Sequence, residues 1–546
     1  MCIRDSGNGV ADRDGSGNVI LDPNGIAFNE DVLFRGRPYS ATNFGLVAPE
    51  QNVETSRIEF GLKGEFNDWS WNLNWNTARQ ELIRRGPDSV ISEFQAALDG
   101  QGGPDGDTFF NPFGSSLLGT SFANDPSLVE DISVILVDRH VSRTTSFDGV
   151  ISGDLLALPA GPLSAAFGFQ VRNESLSQDF DELKSIREVS FFGNGDIDFT
   201  ASERVTAAFF EAGIPVYDSG SSSFDVSIAG RYEKIRNGGD SFNPKISFQY
   251  QNEKLAFKGS YATSFLSPSL FQTGGLTAQF DLITDPVSNT SEQVSTLIRG
   301  NRELEDQEST SYSFGVTLTP TDYFSIELGY WDFDFENLVA APTTQSIVNE
   351  NPIGPLIERN PSGIINIINR PFFNAGSIAT DGIDFKVEYL FDETSWGNFA
   401  LQTQGVFVNS YEVQEQVGAP IIDGVGSDNN ANIGSAVAEW RANSRLSWDL
   451  GKHSSAITGR YYSDIERVRG ASSGVAEADL VFDAQYSYTV DRAFADRDAN
   501  MVFTIGARNI FNNEPNIVLV DDNQFFVGTF QDPAGRVLYA SFKMGF

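Results

Sequence analysis

The sequence predicts an all-β fold, a transmembrane antiparallel barrel, and three observations carry that prediction. Apolar and polar residues alternate at period two in segment after segment. Tight turns alternate with long polar connections, which puts the short turns at one end of a sheet and the long loops at the other. No stretch approaches 18 uninterrupted apolar residues, so a membrane crossing has to be made by strands rather than by a helix.

The elements follow in order. In RIEFGLKGEF, Ile58, Phe60, Leu62 and Phe66 alternate with Arg57, Glu59, Lys63 and Glu65, and Asn67-Asp68 turns the chain. WSWNLNWN then places Trp69, Trp71, Leu73 and Trp75 on one face and Ser70, Asn72, Asn74 and Asn76 on the other. Three tryptophans on one face of a strand are hard to bury in a two-sheet soluble core and suit an aromatic girdle at a membrane interface. Trp69, Trp71, Trp75 and, further on, Trp331 are the expected girdle. A second hairpin runs from Tyr312, Phe314, Val316 and Leu318 through Pro320-Thr321-Asp322 to Phe324, Ile326, Leu328 and Tyr330. Its alternation slips at Tyr330-Trp331, where a β-bulge is expected. Further strands are expected at 224–233, 245–250, 255–263, 383–391, 399–409, 441–449, 454–462, 481–489 and 501–510. The last is GRVLYASFKMGF, with Leu538, Ala540, Phe542, Met544 and Phe546 on one face. The long connections fall at about 81–144, 176–203, 264–308, 336–381, 410–439 and 512–535. The count is about 17–18 strands of roughly ten residues each, the length a tilted strand needs to cross a bilayer. The apolar faces are expected to meet lipid and the polar faces to line the lumen.

Composition bounds the function. Asp and Glu total 74 against 37 Lys and Arg, a formal charge of −37, which argues against nucleic acid as a partner. Mean hydropathy is a modest −0.22, since half the strand residues and all the loops are polar. The single cysteine, Cys2, cannot form an internal disulfide. The opening MCIRDSGNGVADRDGSGN has no apolar core of a signal peptide and resembles a translated adapter. An N-terminally truncated chain is therefore expected, with residues 1–40 an irregular start that includes at most one strand and 41–546 an incomplete barrel.

Several stretches resemble one family, the TonB-dependent outer-membrane receptors. LAFKGSYATSFLSPSLFQ (255–272) is similar to a strand of that family with its Phe-x-x-Pro-Ser-Leu, and RGNRELEDQESTSYSFGV (299–316) to its Gly-Asn-x-x-Leu-x-x-Glu loop. Asp306-Gln307-Glu308 stands where Pro-Glu is more usual. IATDGIDFKVEY (378–389) resembles the Thr-x-Gly-Ile-Asp strand opening. FTIGARNIFNNEPN (503–516) resembles the Asn-Leu-Phe-Asp motif, with Ile510 for Leu and Asn512 for Asp. FFNPFG (109–114) and ERVTAAFFEAGIPV (203–216) also resemble a proteobacterial branch of the family. The resemblance implies a 22-stranded barrel with a plug domain and an energy-coupling box, neither of which this sequence contains. It implies a Gram-negative outer membrane, surrounding lipid, a TonB energy-coupling complex and the barrel-assembly machinery as partners, and a small nutrient ligand such as a metal chelate or an oligosaccharide. A passive diffusion porin is the alternative within membrane barrels, and a secreted β-rich adhesin the alternative outside them. Ligand-contacting residues are not legible.

Local candidates are weaker. DRDGSGN resembles the front of a calcium loop through Asp12, Asp14, Ser16 and Asn18, but Pro23 stands where the closing glutamate belongs. GASSG fits Gly-x-Ser-x-Gly around Ser472 without the strand-to-helix context a nucleophile needs. His140 and His453 lack metal spacing. Acidic loop residues Asp105, Asp107, Asp423 and Asp428 read as a solvated outer surface. Arg231, Lys245, Lys258 and Lys386 are expected in the lumen, paired with carboxylates. No enzyme activity and no cofactor are expected.

The resemblance also gives the C-terminus a role: Tyr539, Phe542 and the terminal Phe546 resemble the signal read by the barrel-assembly machinery. Phe546→Ser is expected to lower the amount of protein in the outer membrane more than it lowers ligand binding by the assembled fraction. Immunoblots of outer-membrane fractions at wild-type level would refute it.

Overall fold

The computed structural model describes residues 2–4, 33–35, 49–111, 124–189, 195–236, 238–416, 418–429, 432, 436–469, 472–494, 497–520 and 526–545. Its frame is a run of long antiparallel strands: β1 (Glu50–Phe66), β2 (Trp69–Ser89), β3 (Ser133–Leu158), β4 (Gly161–Asp179), β5 (Phe199–Asp218) and β6 (Ser222–Ile235). β7 (Asp240–Asn252), β8 (Leu255–Leu266), β9 (Gln307–Thr321), β10 (Phe324–Glu336), β11 (Ser377–Leu390) and β12 (Asn398–Gln414) continue it. β13 (Trp440–Leu450), β14 (His453–Tyr462), β15 (Asp479–Phe494), β16 (Arg497–Arg508) and β17 (Val537–Gly545) complete it. Each is hydrogen-bonded to the next in one unbroken ladder. A two-residue strand, Ile422–Asp423, adds to the ladder of β12. The strand order is that of a barrel, but among the described residues no register joins β17 to β1. Both of these strands are exposed almost throughout.

The turns divide as the sequence predicts. β1 and β2 are joined by Asn67-Asp68, with Asn67 at φ 55°, a left-handed conformation that asparagine tolerates. Gly451 takes the same role at φ 57° between β13 and β14. All the long connections leave from the opposite end.

Three expectations are corrected. The strands are longer than ten residues: β2 has 21 and β3 has 26. Beyond the lipid the outward face no longer has to be apolar, so the period-two signal stops while the hydrogen-bonded ladder continues. The bulge at Tyr330-Trp331 does not exist. β10 pairs in register through Tyr330, Trp331 and Asp332 on both sides, and the one shift in its ladder with β9 lies beside the turn, between Leu318 and Thr321. The phase slip is instead a change in which face carries the rings. Trp331, Phe333 and Phe335 all point inward, with centroids 5.9 and 6.1 Å apart.

The long connections, read as polar surface, are folded. Strands 276–285, 290–299, 365–371 and 357–359 form a four-stranded sheet built from two successive loops, with 290–299 and 365–371 parallel. The helix Thr344–Glu350 closes a core of Ile283, Val294, Val348, Ile357 and Ile368. Helices Ile91–Leu98 and Pro126–Ile132 enclose a second core around Phe94, Phe110 and Leu128. A third joins Ala436, Ile465 and Val518 across three loops. These cores are assembled from residues far apart in sequence, so no local pattern announces them.

The four-stranded unit is pinned by the buried Asp285, which accepts two hydrogen bonds from the Arg359 guanidinium at 2.7 and 2.9 Å. That pairing lowers the Asp285 pKa from 3.8 to about 2. The carboxylate therefore contributes stability in full above about pH 4, and the contribution is lost as pH falls toward 2. Arg359→Ala strands the buried carboxylate and is expected to cost the unit about 3 kcal/mol. Hydrogen exchange over 276–371 should rise in that variant at pH 7, and in the wild type only below about pH 4. Unchanged exchange in Arg359→Ala would remove the ion pair from this role.

Candidate functional site

The alternation of the wall assigns two faces. Outward rows carry Phe60, Leu62 and Phe66 on β1, Phe147 and Ile151 on β3, and Leu328 and Tyr330 on β10, all well exposed. Inward rows carry serines and charged groups. Ser70 faces Ser152 at 3.0 Å, Asn76 donates to Ser146 at 2.6 Å, and Ser260 faces Ser313 at 2.8 Å.

The larger inward cavity, about 960 Å³, is walled by β3 to β8 and roofed by 267–271. Arg172 pairs with Glu174 at 2.8 Å. Arg231 pairs with Glu233 at 2.6 Å, donates to Gln170 at 3.0 Å and lies 5.8 Å from the Phe209 ring. Glu203 stands directly across the ladder from Glu174. The roof is held by Phe271, packed on Phe199 and Phe372, and by Ser267, which donates to Asp306 at 2.6 Å. A second cavity, about 650 Å³, is lined by Lys258, Glu327, Trp331, Asp384, Lys386 and Arg441 among others. Such surfaces can hold a polar, multiply charged solute through paired charges and hydroxyls.

Arg231, Lys258 and Lys386 find the expected carboxylates, the last two at Glu327 (3.1 Å) and Glu388 (2.9 Å). Lys245 lines the larger cavity without a carboxylate partner among the described residues. The carboxylates themselves were missed, although the sequence carries a signal for them. Basic-x-Glu places both charges on one face of a strand, and it recurs at Arg57-Glu59, Arg79-Glu81, Arg172-Glu174, Arg231-Glu233 and Lys386-Glu388, each an ion pair of 2.6–2.9 Å.

Of the expected girdle, Trp69, Trp71 and Trp75 share an outward row with Leu73, and Trp69 and Trp71 cover Gly153 and Gly64 on the flanking strands, where a Cβ would meet the indole within 2.8 Å. At ~3.3 Å per residue, Trp69 and Trp75 are about 20 Å apart along the strand, so they do not belong to one belt. Trp69 and Trp71 sit at the turn end; the rings at the far end are Tyr312, paired with Tyr261 on the same outward face across the ladder, and Trp440, packed on Phe407 at 4.6 Å. Trp331 leaves the girdle altogether: it faces the lumen, above Gly382.

Phe542 points outward and meets Phe503 at 4.9 Å, while Tyr539 points inward over Gly506 and donates to Gln485 at 3.3 Å. Phe546 and the calcium-like Asp12, Asp14, Ser16 and Asn18 lie outside the described residues. Asp428 is not merely solvated surface, since it holds the fully buried Arg467 at 3.0 Å. Ser472 begins a short strand paired with 465–469. His140 packs on Phe180, and His453 bonds Tyr486 at 2.5 Å. Among the described residues no group of three or more His, Cys, Asp or Glu could hold a metal ion, and no helix is long and apolar enough to cross a membrane.

The chain matches the family model "TonB dependent receptor-like, beta-barrel" over residues 4–510. No curated protein matches it in sequence. Among solved structures it is similar to the siderophore receptor PirA from Acinetobacter baumannii, with TM-score 0.59 and 13% identity over 90% of this chain and 62% of that one. It is also similar to a variant of the ferric enterobactin receptor PfeA from Pseudomonas aeruginosa (TM-score 0.56, 14% identity, 93% and 71%). FpvA of P. aeruginosa bound to pyoverdine follows at TM-score 0.50 and 12% identity, over 90% and 56%. The chain thus spans about three fifths of the length of the first of these.

The face assignment is testable. In lipid vesicles, Trp331→Cys is expected to react with a charged, membrane-impermeant maleimide and Tyr330→Cys to be protected. The reverse order of labelling would restore Trp331 to the lipid face.

Proposed function

The chain belongs to the TonB-dependent receptor family, and from that premise we propose that it imports a scarce nutrient across the outer membrane of a Gram-negative bacterium. The observation that carries this reading is the family match over most of the wall, together with the one-ended distribution of folded loops. In this orientation the short turns face the periplasm and the loop cores face outside. The loops capture the ligand and the charged lumen wall passes it inward. Gating by a plug and energy from the TonB complex complete the cycle, because a lumen this wide otherwise leaks. The protein acts as a transporter and not as an enzyme.

The ligand class is a small polar nutrient such as a metal chelate or an oligosaccharide. A ferric chelate is favoured by the similar structures, whose names include siderophore, enterobactin and pyoverdine receptors. On the same reading residues 41–546 are barrel, Trp69 and Trp71 anchor its inner rim, and Tyr539, Phe542 and Phe546 form the assembly signal.

Deleting the encoding gene should abolish accumulation of one labelled nutrient class, radio-iron siderophores first and labelled oligosaccharides second. A protonophore should abolish the same uptake in wild-type cells. Uptake that persists under the protonophore would replace active import with passive diffusion.

A further inference from the structure

We propose that the lumen face of β8–β12 carries a binding rail for an uncharged, unbranched oligosaccharide, with Trp331, Phe333 and Phe335 as its stacking rungs. The inference rests on the import reading given above and selects the ligand class within it.

The three rings stand in file on the inward row of β10, one rung every two residues, or ~6.6 Å. Trp331 and Phe333 have centroids 5.9 Å apart, and Phe333 and Phe335 are stacked at 6.1 Å with 15° between their planes. Each ring is half-buried, so part of it stays open. The upper end, Phe335, packs on the loop core of Ile378 and Val413. The lower end, Trp331, lies over Gly382, where a Cβ would come within 2.4 Å of the indole, and it lines the cavity of about 650 Å³. The file thus runs from the folded loops down to a cavity in the wall.

Hydroxyls flank the rings. Ser309, Ser311 and Ser313 of β9 stand directly opposite Phe335, Phe333 and Trp331, and Thr380 of β11 stands opposite Phe333 on the other side. Behind the serines, β8 presents Ser260, Ala262 and Ser264. Beyond β11, β12 presents Val408, Tyr411 and Val413. No residue of this panel, five strands wide and three rows tall, carries a charge. The rest of the lumen wall differs. The next row down already holds Lys258 and Asp384, and the one below it Glu327 and Lys386.

Ring faces and neutral hydroxyls together select the ligand. A pyranose presents a face of C–H bonds that stacks on an aromatic ring, and a rim of hydroxyls that donate to serines and accept from them. A small apolar molecule would gain nothing from the hydroxyls. A ferric chelate that keeps its negative charge would lose water here with no cation beside it. The cations of this wall, Lys258, Lys386 and Arg441, all lie below the rail, and the first two are already paired with Glu327 and Glu388. A linear sugar chain repeats along its length as the rungs do, so it can advance from loop to cavity by exchanging one ring for the next. The similar structures named above, at 12–14% identity, bear on the fold; this panel bears on the ligand.

The test titrates the full chain in detergent, by calorimetry, with three uncharged hexasaccharides (maltohexaose, cellohexaose and xylohexaose) and with a ferric tris-catecholate as the charged probe. At least one hexasaccharide should bind. Trp331→Ala with Phe333→Ala should weaken it about a hundred-fold, about a factor of ten for each ring lost. Phe333→Tyr keeps a ring at the rung and should bind within about threefold of wild type. Tyr330→Ala removes the outward neighbour and should leave binding unchanged. Resistance of each variant to unfolding in cold dodecyl sulfate reports an intact barrel. Absence of binding by all three hexasaccharides overturns the proposal, as does equal binding by wild type and an intact double variant. Binding of the tris-catecholate that falls in the double variant, with the hexasaccharides inert, overturns it in favour of a chelate site. Binding by the purified chain needs no energy source, so the two readings fail separately. Uptake that persists under a protonophore sinks active import and leaves this rail standing, whereas inert hexasaccharides sink the rail and leave import standing.

Discussion

The backbone hydrogen bond in lipid is the constraint on which the rest of this molecule depends. A peptide group left unpaired in hydrocarbon costs several kcal/mol, so strands that cross a bilayer must be bonded on both sides. From β2 to β16 every strand is. Once the ladder is obligatory, each strand has one face to lipid and one to the lumen, and the side chains sort themselves by that rule alone. The exception marks itself: β1 and β17 each have one described ladder, and they are the strands most exposed along their length.

That rule explains what was legible in the sequence. Where a strand is in lipid, its outward residues must be apolar and its inward ones need not be, so Phe60, Leu62, Trp69, Trp71 and Leu73 announce their faces and the turn at Asn67 between them. Where the ladder leaves the lipid, the rule lapses. Arg79, Glu81 and Arg85 occupy the same outward row as Trp75, and no alternation of hydropathy marks them as strand. Trp331 shows the converse error. A ring that alternates with Asp332 resembles a lipid-facing residue shifted by a bulge, yet an unbroken register makes it a lumen residue stacked toward Phe333. Sequence pattern reports what each face is made of; only the register says which face that is.

The folded loops were illegible for a different reason. Ile283, Val294, Val348 and Ile368 come from two connections separated by the β9–β10 hairpin. Each connection alone is polar enough to pass for surface, and only their meeting above the wall creates a core. The Asp285–Arg359 pair does the same thing with charge, joining residues 74 apart in sequence. An acidic residue in a long loop is thus not always solvated surface: Asp285 is itself buried against Arg359, and Asp428 holds the fully buried Arg467.

Charge pairing within a strand recurs on both faces of the wall, with Arg172-Glu174, Arg231-Glu233 and Lys386-Glu388 inside and Arg79-Glu81 outside. Inside, basic-x-Glu pairs place several cations beside their own anions, while Lys245 and Arg441 have no carboxylate partner among the described residues. Paired charges of this exposure contribute little to stability, on the order of 0–1 kcal/mol each. On the proposed import reading they offer a passing solute both signs without holding it tightly. Outside, above the apolar band, Arg79 and Arg139 share Glu81, Asp179 lies 4.0 Å from Arg139, and Arg143 has no carboxylate partner among the described residues. Arg79, Glu81 and the Arg143 opposite Arg79 stand on the same outward row, so the local shortage of carboxylates is one of position in a chain with 74 Asp and Glu.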